Sequence, residues 1–182
     1  MFFKRMQLSI YCLLIGLSGV GQSTTEQLSA VMHTFHHYNM FDGAVMVADH
    51  GTVVYKEAFG LANREWDIPN STDTKFMIGS ISKPITATLI LILAEKDLIN
   101  LDSSLAYYVP QFKDKPASKV TIRQLLNHTS GLPNYDIIRD FFPRISRQSF
   151  TREEYLEIFQ DSALAFEPGS RYMYSSWGYY TL

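Results

Sequence analysis

The run Ile85-Thr86-Ala87-Thr88-Leu89-Ile90-Leu91-Ile92-Leu93-Ala94 constrains the fold of this chain more than any other stretch. It is apolar nearly all round at helical spacing, the pattern of a helix buried on every side. It is too short to span a bilayer. The rest of the chain must therefore enclose it, and the composition allows that: of 182 residues, 46% are hydrophobic and 19% charged, the profile of an ordinary soluble globular protein with one domain as the default. A net charge of −2 and a pI near 6.2, with no cluster of Lys and Arg, give no basic field, so nucleic acid is not an expected partner.

Immediately before this run lies Phe76-Met77-Ile78-Gly79-Ser80-Ile81-Ser82-Lys83-Pro84. If a helix begins at or near Ser80, Lys83 falls about one turn on and can reach the Ser80 hydroxyl. A serine hydroxyl needs a neighbour that takes its proton before it can attack a carbonyl, and a lysine serves when burial lowers its pKa. Lys83 at the mouth of a fully buried helix would sit in such a place. The start of the helix also offers unpaired N–H groups and a positive dipole end to a developing oxyanion. Pro84 belongs in the first turn, where its missing N–H costs least. Ser-x-x-Lys is nonetheless short enough to arise by chance in a chain of this size, and it needs support from elsewhere.

The amino terminus reads as an export signal. Lys4 and Arg5 precede the apolar stretch Leu8 to Leu17, and Ser18-Gly19-Val20-Gly21 places small residues before a cut after Gly21. A membrane anchor is the alternative, but the apolar stretch is shorter than a spanning helix requires, so no stable membrane span is expected. Residues 1–21 are thus read as a signal peptide, residues 22–182 as the folded domain, and the location as periplasmic or secreted. Cys12, the one cysteine, lies in the discarded part, which leaves the exported chain without a thiol or disulfide.

Ser23 and Glu26 form a capping box opening a helix whose Leu28, Val31, Met32 and Phe35 share a face expected to pack. His33 and His37 have the i, i+4 spacing of a metal pair, but no third ligand accompanies them and they are read as solvated or partly packed. Phe41-Asp42-Gly43 ends the helix. Ala44 to Ala48 and Thr52 to Phe59 then form a hairpin about Asp49-His50-Gly51. Residues 60–73 carry the chain onward through turn residues around Trp66 and Pro69. Leu101-Asp102 and Tyr107 to Pro110 suggest a short helix stopped by proline; Thr121 with Gln124, and Thr151 with Glu154, are further capping boxes. His128, in the turn Asn127-His128-Thr129-Ser130-Gly131-Leu132-Pro133, is read as a hydrogen-bonded structural residue. No internal repeat or low-complexity tract appears, and the middle of the chain reads as a small helical domain.

Near the end stand Pro168-Gly169, Tyr174-Ser175-Ser176 and Gly178-Tyr179. A tyrosine among eleven is usually packing material. Together, however, Gly79-Ser80-Ile81-Ser82-Lys83, Leu125-Leu126-Asn127-His128-Thr129-Ser130-Gly131-Leu132 and this last group resemble, in order, the serine beta-lactamase-like family. That family comprises class C beta-lactamases, penicillin-binding D-Ala-D-Ala carboxypeptidases and related esterases. The resemblance runs from about Gly43 to the last residue. It implies an α/β fold with an antiparallel sheet flanked by helices beside a helical domain, and acyl transfer through a covalent ester. In that scheme Ser80 is the nucleophile, Lys83 activates it, and the Tyr174 phenol relays protons to the leaving group and to the deacylating water. It calls for no metal or organic cofactor, and for a small-molecule or peptide substrate.

Two departures stand against the family pattern. The family usually has asparagine two residues after the tyrosine; Ser176 here offers one hydroxyl in place of an amide's separate donor and acceptor. A third motif, Lys or His followed by Thr or Ser and Gly on a C-terminal strand, is not reached. With an aromatic, apolar ending at Trp177 to Leu182, this leads to the expectation that the domain is incomplete and lacks its C-terminal strands. The favoured reading is an exported serine hydrolase acting on a lactam, a D-amino-acid peptide or an ester. The alternatives are a non-catalytic binder of peptidoglycan or acyl compounds, against which the retention of Ser80, Lys83 and Tyr174 argues, and an inactive fragment. Export itself is checked by mass spectrometry of the secreted protein: the expected N-terminus is Gln22, and retention of Met1 there would contradict it.

Overall fold

A capping box opens the first helix, as the Ser23 and Glu26 spacing requires: in the computed structural model, which describes residues 23–182, the Ser23 hydroxyl accepts from the Glu26 N–H, and the Glu26 carboxylate accepts from the Ser23 N–H at 2.8 Å. The signal-peptide reading and Cys12 lie outside the described residues. The chain divides between Met77 and Ile78 into two units.

In the first unit, helix α1 (Thr24–His37) packs on a hairpin of β1 (Gly43–Asp49) and β2 (Thr52–Phe59). The two-residue turn His50-Gly51 has positive φ at both positions, 46° and 79°, as a tight hairpin turn whose twist matches its strands requires. The register pairs Gly43 with Phe59, Val45 with Glu57 and Val47 with Tyr55, then slips so that Ala48 faces Val53 and Val54 is bulged. Period-2 alternation therefore puts Val45, Val47, Tyr55, Glu57 and Phe59 on one face, with Tyr55 and Phe59 buried and Met46 and Lys56 exposed on the other. The bulge leaves the Val54 carbonyl to accept from the Thr25 hydroxyl of α1 at 2.9 Å.

The face that α1 presents differs from the sequence expectation. Leu28 and Met32 are half-buried, but Val31 and Phe35 are exposed. The polar partners of the helix set its rotation. His33 Nε2 lies 3.3 Å from a Glu57 carboxylate oxygen, His36 Nδ1 lies 3.2 Å from both the Phe41 carbonyl and Asp42, and both imidazoles pack on the Phe59 ring. These contacts tie α1 to the hairpin through half-buried His36 and through His33, which stays exposed, and Val31 and Phe35 are left outward. Glu57 also accepts from the Tyr55 hydroxyl at 2.6 Å; burial, and then this carboxylate, push the Tyr55 phenol up to about 12. Beyond the hairpin, Gly60 adopts φ 69°, and a side chain there would run into the Asp42 carboxylate, so only glycine fits. A small ribbon of β3 (Leu61–Asn63) and β4 (Ile68–Pro69) follows.

The second unit is helical. A 3₁₀ turn, Gly79–Ile81, leads into α2 (Ser82–Glu95); then come α3 (Leu105–Tyr108), α4 (Ile122–Leu126), α5 (Phe141–Arg144), α6 (Arg152–Glu157) and α7 (Ser176–Thr181), with further 3₁₀ turns at Pro110–Phe112 and Tyr135–Ile137. The capping boxes read at Thr121 and Thr151 are both formed, and α3 stops before Pro110. The core gathers Ile90, Leu105, Phe112, Val120, Leu125, Leu132, Phe159 and Trp177. Trp177 lies flat on Phe159, with centroids 4.8 Å apart and planes 7° apart. Residues 101–105 run against 120–123, through Leu105 N–H to the Val120 carbonyl and Arg123 N–H to the Leu101 carbonyl, and a bidentate Arg123–Asp102 pair holds the outer edge.

Helix α2 is not buried on every side. Ile90 alone is fully buried, with Thr86, Ala87, Leu93 and Ala94 half-buried on the same stripe; Ile85, Leu89, Leu91 and Ile92 are exposed. One stripe of a helix spans the i, i+3, i+4, i+7 positions, and in this chain only that stripe meets the core. The second apolar stripe has no cover among the described residues, so the enclosed position expected for Lys83 is not found. No helix among the described residues is long and apolar enough to cross a membrane.

These assignments separate two phenylalanines. Phe159→Ala removes a fully buried ring from the Trp177 stack and is expected to lower unfolding free energy by about 3–5 kcal/mol. Phe35→Ala, on the outward face of α1, is expected to change it by no more than about 0.5 kcal/mol. Urea titration of both variants checks the pair; equal losses would restore the rotation of α1 read from its sequence.

Candidate active site

Gly79 begins the 3₁₀ turn with φ 51°, and the turn hands over to α2 at Ser82, so Ser80 and Lys83 lie one turn apart at the start of a continuous helical segment. The consequence is the contact that the Ser-x-x-Lys spacing predicts: Lys83 Nζ donates to Ser80 Oγ at 3.1 Å.

Tyr174 reaches the same point from 94 positions away. The turn after α4 is held by His128 at φ 60° and Gly131 at φ 76°. At Gly131 a Cβ would collide with the Phe166 carbonyl, so the two backbones can lie together only with glycine there. Three backbone hydrogen bonds then fasten the returning segment to this turn, from Ala165 N–H to Gly131 O, Gly169 N–H to Thr129 O and Met173 N–H to His128 O, at 2.8, 2.8 and 2.9 Å. The next residue is Tyr174, and its hydroxyl lies 2.6 Å from Ser80 Oγ.

The Tyr174-Ser175-Ser176 segment is gripped residue by residue. Ser175 is buried; its N–H donates to His128 Nδ1 at 3.2 Å, and its hydroxyl donates to the Pro133 carbonyl at 2.9 Å while accepting from Gly178 N–H at 3.0 Å as the N-cap of α7. Ser176 N–H donates to Asn134 Oδ1 at 2.9 Å. The Ser176 hydroxyl, where the resemblance expects an asparagine amide, accepts from Lys83 Nζ at 3.4 Å. The lysine thus meets both serine hydroxyls and stands 4.8 Å from the centre of the Tyr174 ring.

Electrostatics favours one proton arrangement. The Lys83 ammonium first, and the Ser80 hydroxyl second, hold the Tyr174 phenol below its ordinary value. Burial, and then the nearby Lys83 charge, hold His128 below the usual imidazole value, so its ring is neutral at neutral pH and Nδ1 is free to accept from Ser175. Ser80 and Tyr174 are exposed, which leaves the cluster open to a ligand.

The structure therefore brings together all four residues singled out from the sequence: Ser80, Lys83, Tyr174 and Ser176. Sequence reasoning missed the parts played by Asn134 and Tyr179, the latter donating its hydroxyl to the Leu126 carbonyl at 2.8 Å. The available signal was the turn itself, in which His128 and Asn134 place two side-chain acceptors on either side of Gly131 and Pro133. Among the described residues no group of three or more His, Cys, Asp or Glu could hold a metal ion.

The phenol is open to direct measurement. Tyr174, shifted downward, should ionise ahead of Tyr55, Tyr155 and Tyr179, which are all shifted upward. Ultraviolet titration of tyrosinate should show one early step that Tyr174→Phe abolishes and Lys83→Met moves toward higher pH. A single step common to all tyrosines would contradict the geometry.

Comparison with known proteins accords with the cluster. The Beta-lactamase family model matches residues 24–182. The chain is 34% identical over 164 residues to "Penicillin-binding protein 4*" of Bacillus subtilis (strain 168), covering 88% of this chain and 35% of that protein. It is also 34% identical over 167 residues to "Esterase EstB" of Burkholderia gladioli, covering 84% and 42%. Among solved structures, a penicillin binding protein from Bacillus halodurans superposes with a TM-score of 0.68 at 30% identity, covering 82% of this chain and 47% of that one. The chain thus spans less than half the length of these relatives. With the fold, the ordered motifs and the family match in agreement, this chain belongs to the beta-lactamase family.

Proposed function

We propose that the protein is an exported serine hydrolase that works by acyl transfer through an ester on Ser80. The observation that carries this reading is the three-way contact at Ser80 Oγ, with the Tyr174 phenol at 2.6 Å and the Lys83 amine nitrogen at 3.1 Å. As the Ser80 oxygen bonds to a substrate carbonyl carbon, its proton passes into the Lys83–Tyr174 pair. Lys83 favours the ionised phenol, and the phenolate accepts more readily than a free serine's surroundings would. Collapse of the tetrahedral intermediate breaks the bond to the leaving group, which takes the proton back from Tyr174. Water then attacks the ester with the same pair as base, and Ser80 is restored. The Ser80 N–H, at the start of the helical segment, is suited to donate to the oxyanion.

The substrate class is an acyl compound: a lactam, a D-amino-acid peptide or an ester. The names of the two relatives, a penicillin-binding protein and an esterase, are compatible with that range. Ser176 bears on selectivity. Its hydroxyl is turned to Lys83, where an asparagine amide would have a second end free for the substrate. Export rests on the charged start and apolar stretch of the first 21 residues.

The full chain should be labelled by a serine-reactive fluorophosphonate, with the modified peptide containing Ser80. Ser80→Ala should abolish the label, and Lys83→Ala should slow it by a factor of about 100 to 10,000, the usual contribution of a positioned proton acceptor, without altering the melting temperature greatly. Labelling that persists in Ser80→Ala would remove that residue from the role.

A further inference from the structure

His128 touches neither Ser80 nor Lys83 by a hydrogen bond, yet it is the residue against which the Tyr174 arm is built. Its ring lies 4.6 Å from the Tyr174 ring centre with planes 34° apart, 4.9 Å from Tyr179 at 38°, and edge-on to Tyr172 at 5.8 Å. Its Nδ1 takes the Ser175 N–H and its own carbonyl takes the Met173 N–H, so the residues on both sides of Tyr174 are tied to this one histidine. Its backbone is left-handed, with φ 60°. The titratable or charged groups that face it are Lys83 of α2, Tyr172 and Tyr174 of the returning segment, and Tyr179 of α7.

We propose that His128 is a positioning residue for the acyl transfer proposed above: as a neutral ring accepting the Ser175 amide and backing Tyr174, it keeps the Tyr174 phenol on Ser80. The inference rests on that functional reading for its catalytic meaning and on geometry for the rest. Only the Nε2–H tautomer can do this, because an N–H at Nδ1 would confront the Ser175 N–H. Protonation of the ring would put two donors face to face and add a positive charge beside Lys83. The downward shift of His128, from burial first and Lys83 second, keeps the neutral form in place through neutral pH. Acid should therefore disable the arm by protonating a residue that never meets the substrate.

Two substitutions in the full chain separate positioning from mere packing. Asparagine tolerates positive φ and offers an Oδ1 acceptor close to the place of Nδ1, whereas alanine offers none. Fluorophosphonate labelling of Ser80 should remain within about threefold of the parent in His128→Asn and fall about tenfold in His128→Ala, measured well below both melting temperatures. As pH falls below the His128 titration, the parent rate should drop with one more proton than the His128→Asn rate does.

Two readouts do not depend on catalysis. Nitrogen-15 spectra of histidine-labelled protein should show His128 with a bare Nδ1 at neutral pH, and the early tyrosinate step should move to higher pH in His128→Ala but not in His128→Asn. A protonated Nδ1, equal labelling rates in the two variants, or one pH profile for all three proteins would overturn the inference. If the parent is not labelled at all, the nucleophile reading fails; the tautomer and the tyrosinate step then still decide whether His128 positions Tyr174.

Discussion

Ser80 and Tyr174 are 94 residues apart, and holding their hydroxyl oxygens at 2.6 Å is the constraint on which the second unit depends. Closing a flexible loop of that length costs about 4 kcal/mol, and one hydrogen bond between exposed hydroxyls does not offset it. The closure is supplied elsewhere. Trp177, three residues past Tyr174, is fully buried against Phe159, and burying a large ring contributes on the order of the closure cost. The three backbone bonds to the turn at 128–131 then divide the loop and fix the direction from which Tyr174 arrives.

This arrangement separates stability from chemistry along one short segment. Ser175 and Trp177 face inward and are spent on the core and the α7 cap, whereas Tyr174 and Ser176 face Ser80 and Lys83. The alternation of roles follows from extended backbone at Ser175, with φ −133° and ψ 119°, which sends neighbouring side chains to opposite sides. The buried residues hold the exposed ones still. A phenol half open to solvent would otherwise sample many rotamers, and a proton transfer needs a fixed short distance.

Charge at the cluster follows the same economy. Among the described residues the only cation in contact with Ser80 is Lys83, the groups around it are hydroxyls and aromatic faces, and no carboxylate is hydrogen-bonded to any of the four cluster residues. A carboxylate there would compete for the ammonium and weaken its pull on the phenol. The histidine behind the tyrosine is kept neutral by burial and by that same lysine, so a single positive charge lowers two neighbouring titrations together, favouring the neutral imidazole and the ionised phenol, each consistent with the hydrogen bonds observed.

What the sequence determined by itself was local. Capping boxes at Ser23, Thr121 and Thr151, the turn at His50-Gly51 and the Ser80–Lys83 contact all follow from residue types three or fewer positions apart, and all are present. The resemblance of ordered motifs added Tyr174 and Ser176, which no local rule distinguishes among so many tyrosines and serines. Tertiary structure decided the rest. The rotation of α1 was set by histidine–carboxylate contacts with a hairpin and not by its own apolar stripe; α2, apolar on all sides, buries one stripe because only one meets the core; and His128 and Asn134 acquired their roles from a segment some forty residues away. Periodicity tells which side chains share a face, but the face that is used depends on what lies opposite, and that is a property of the folded chain.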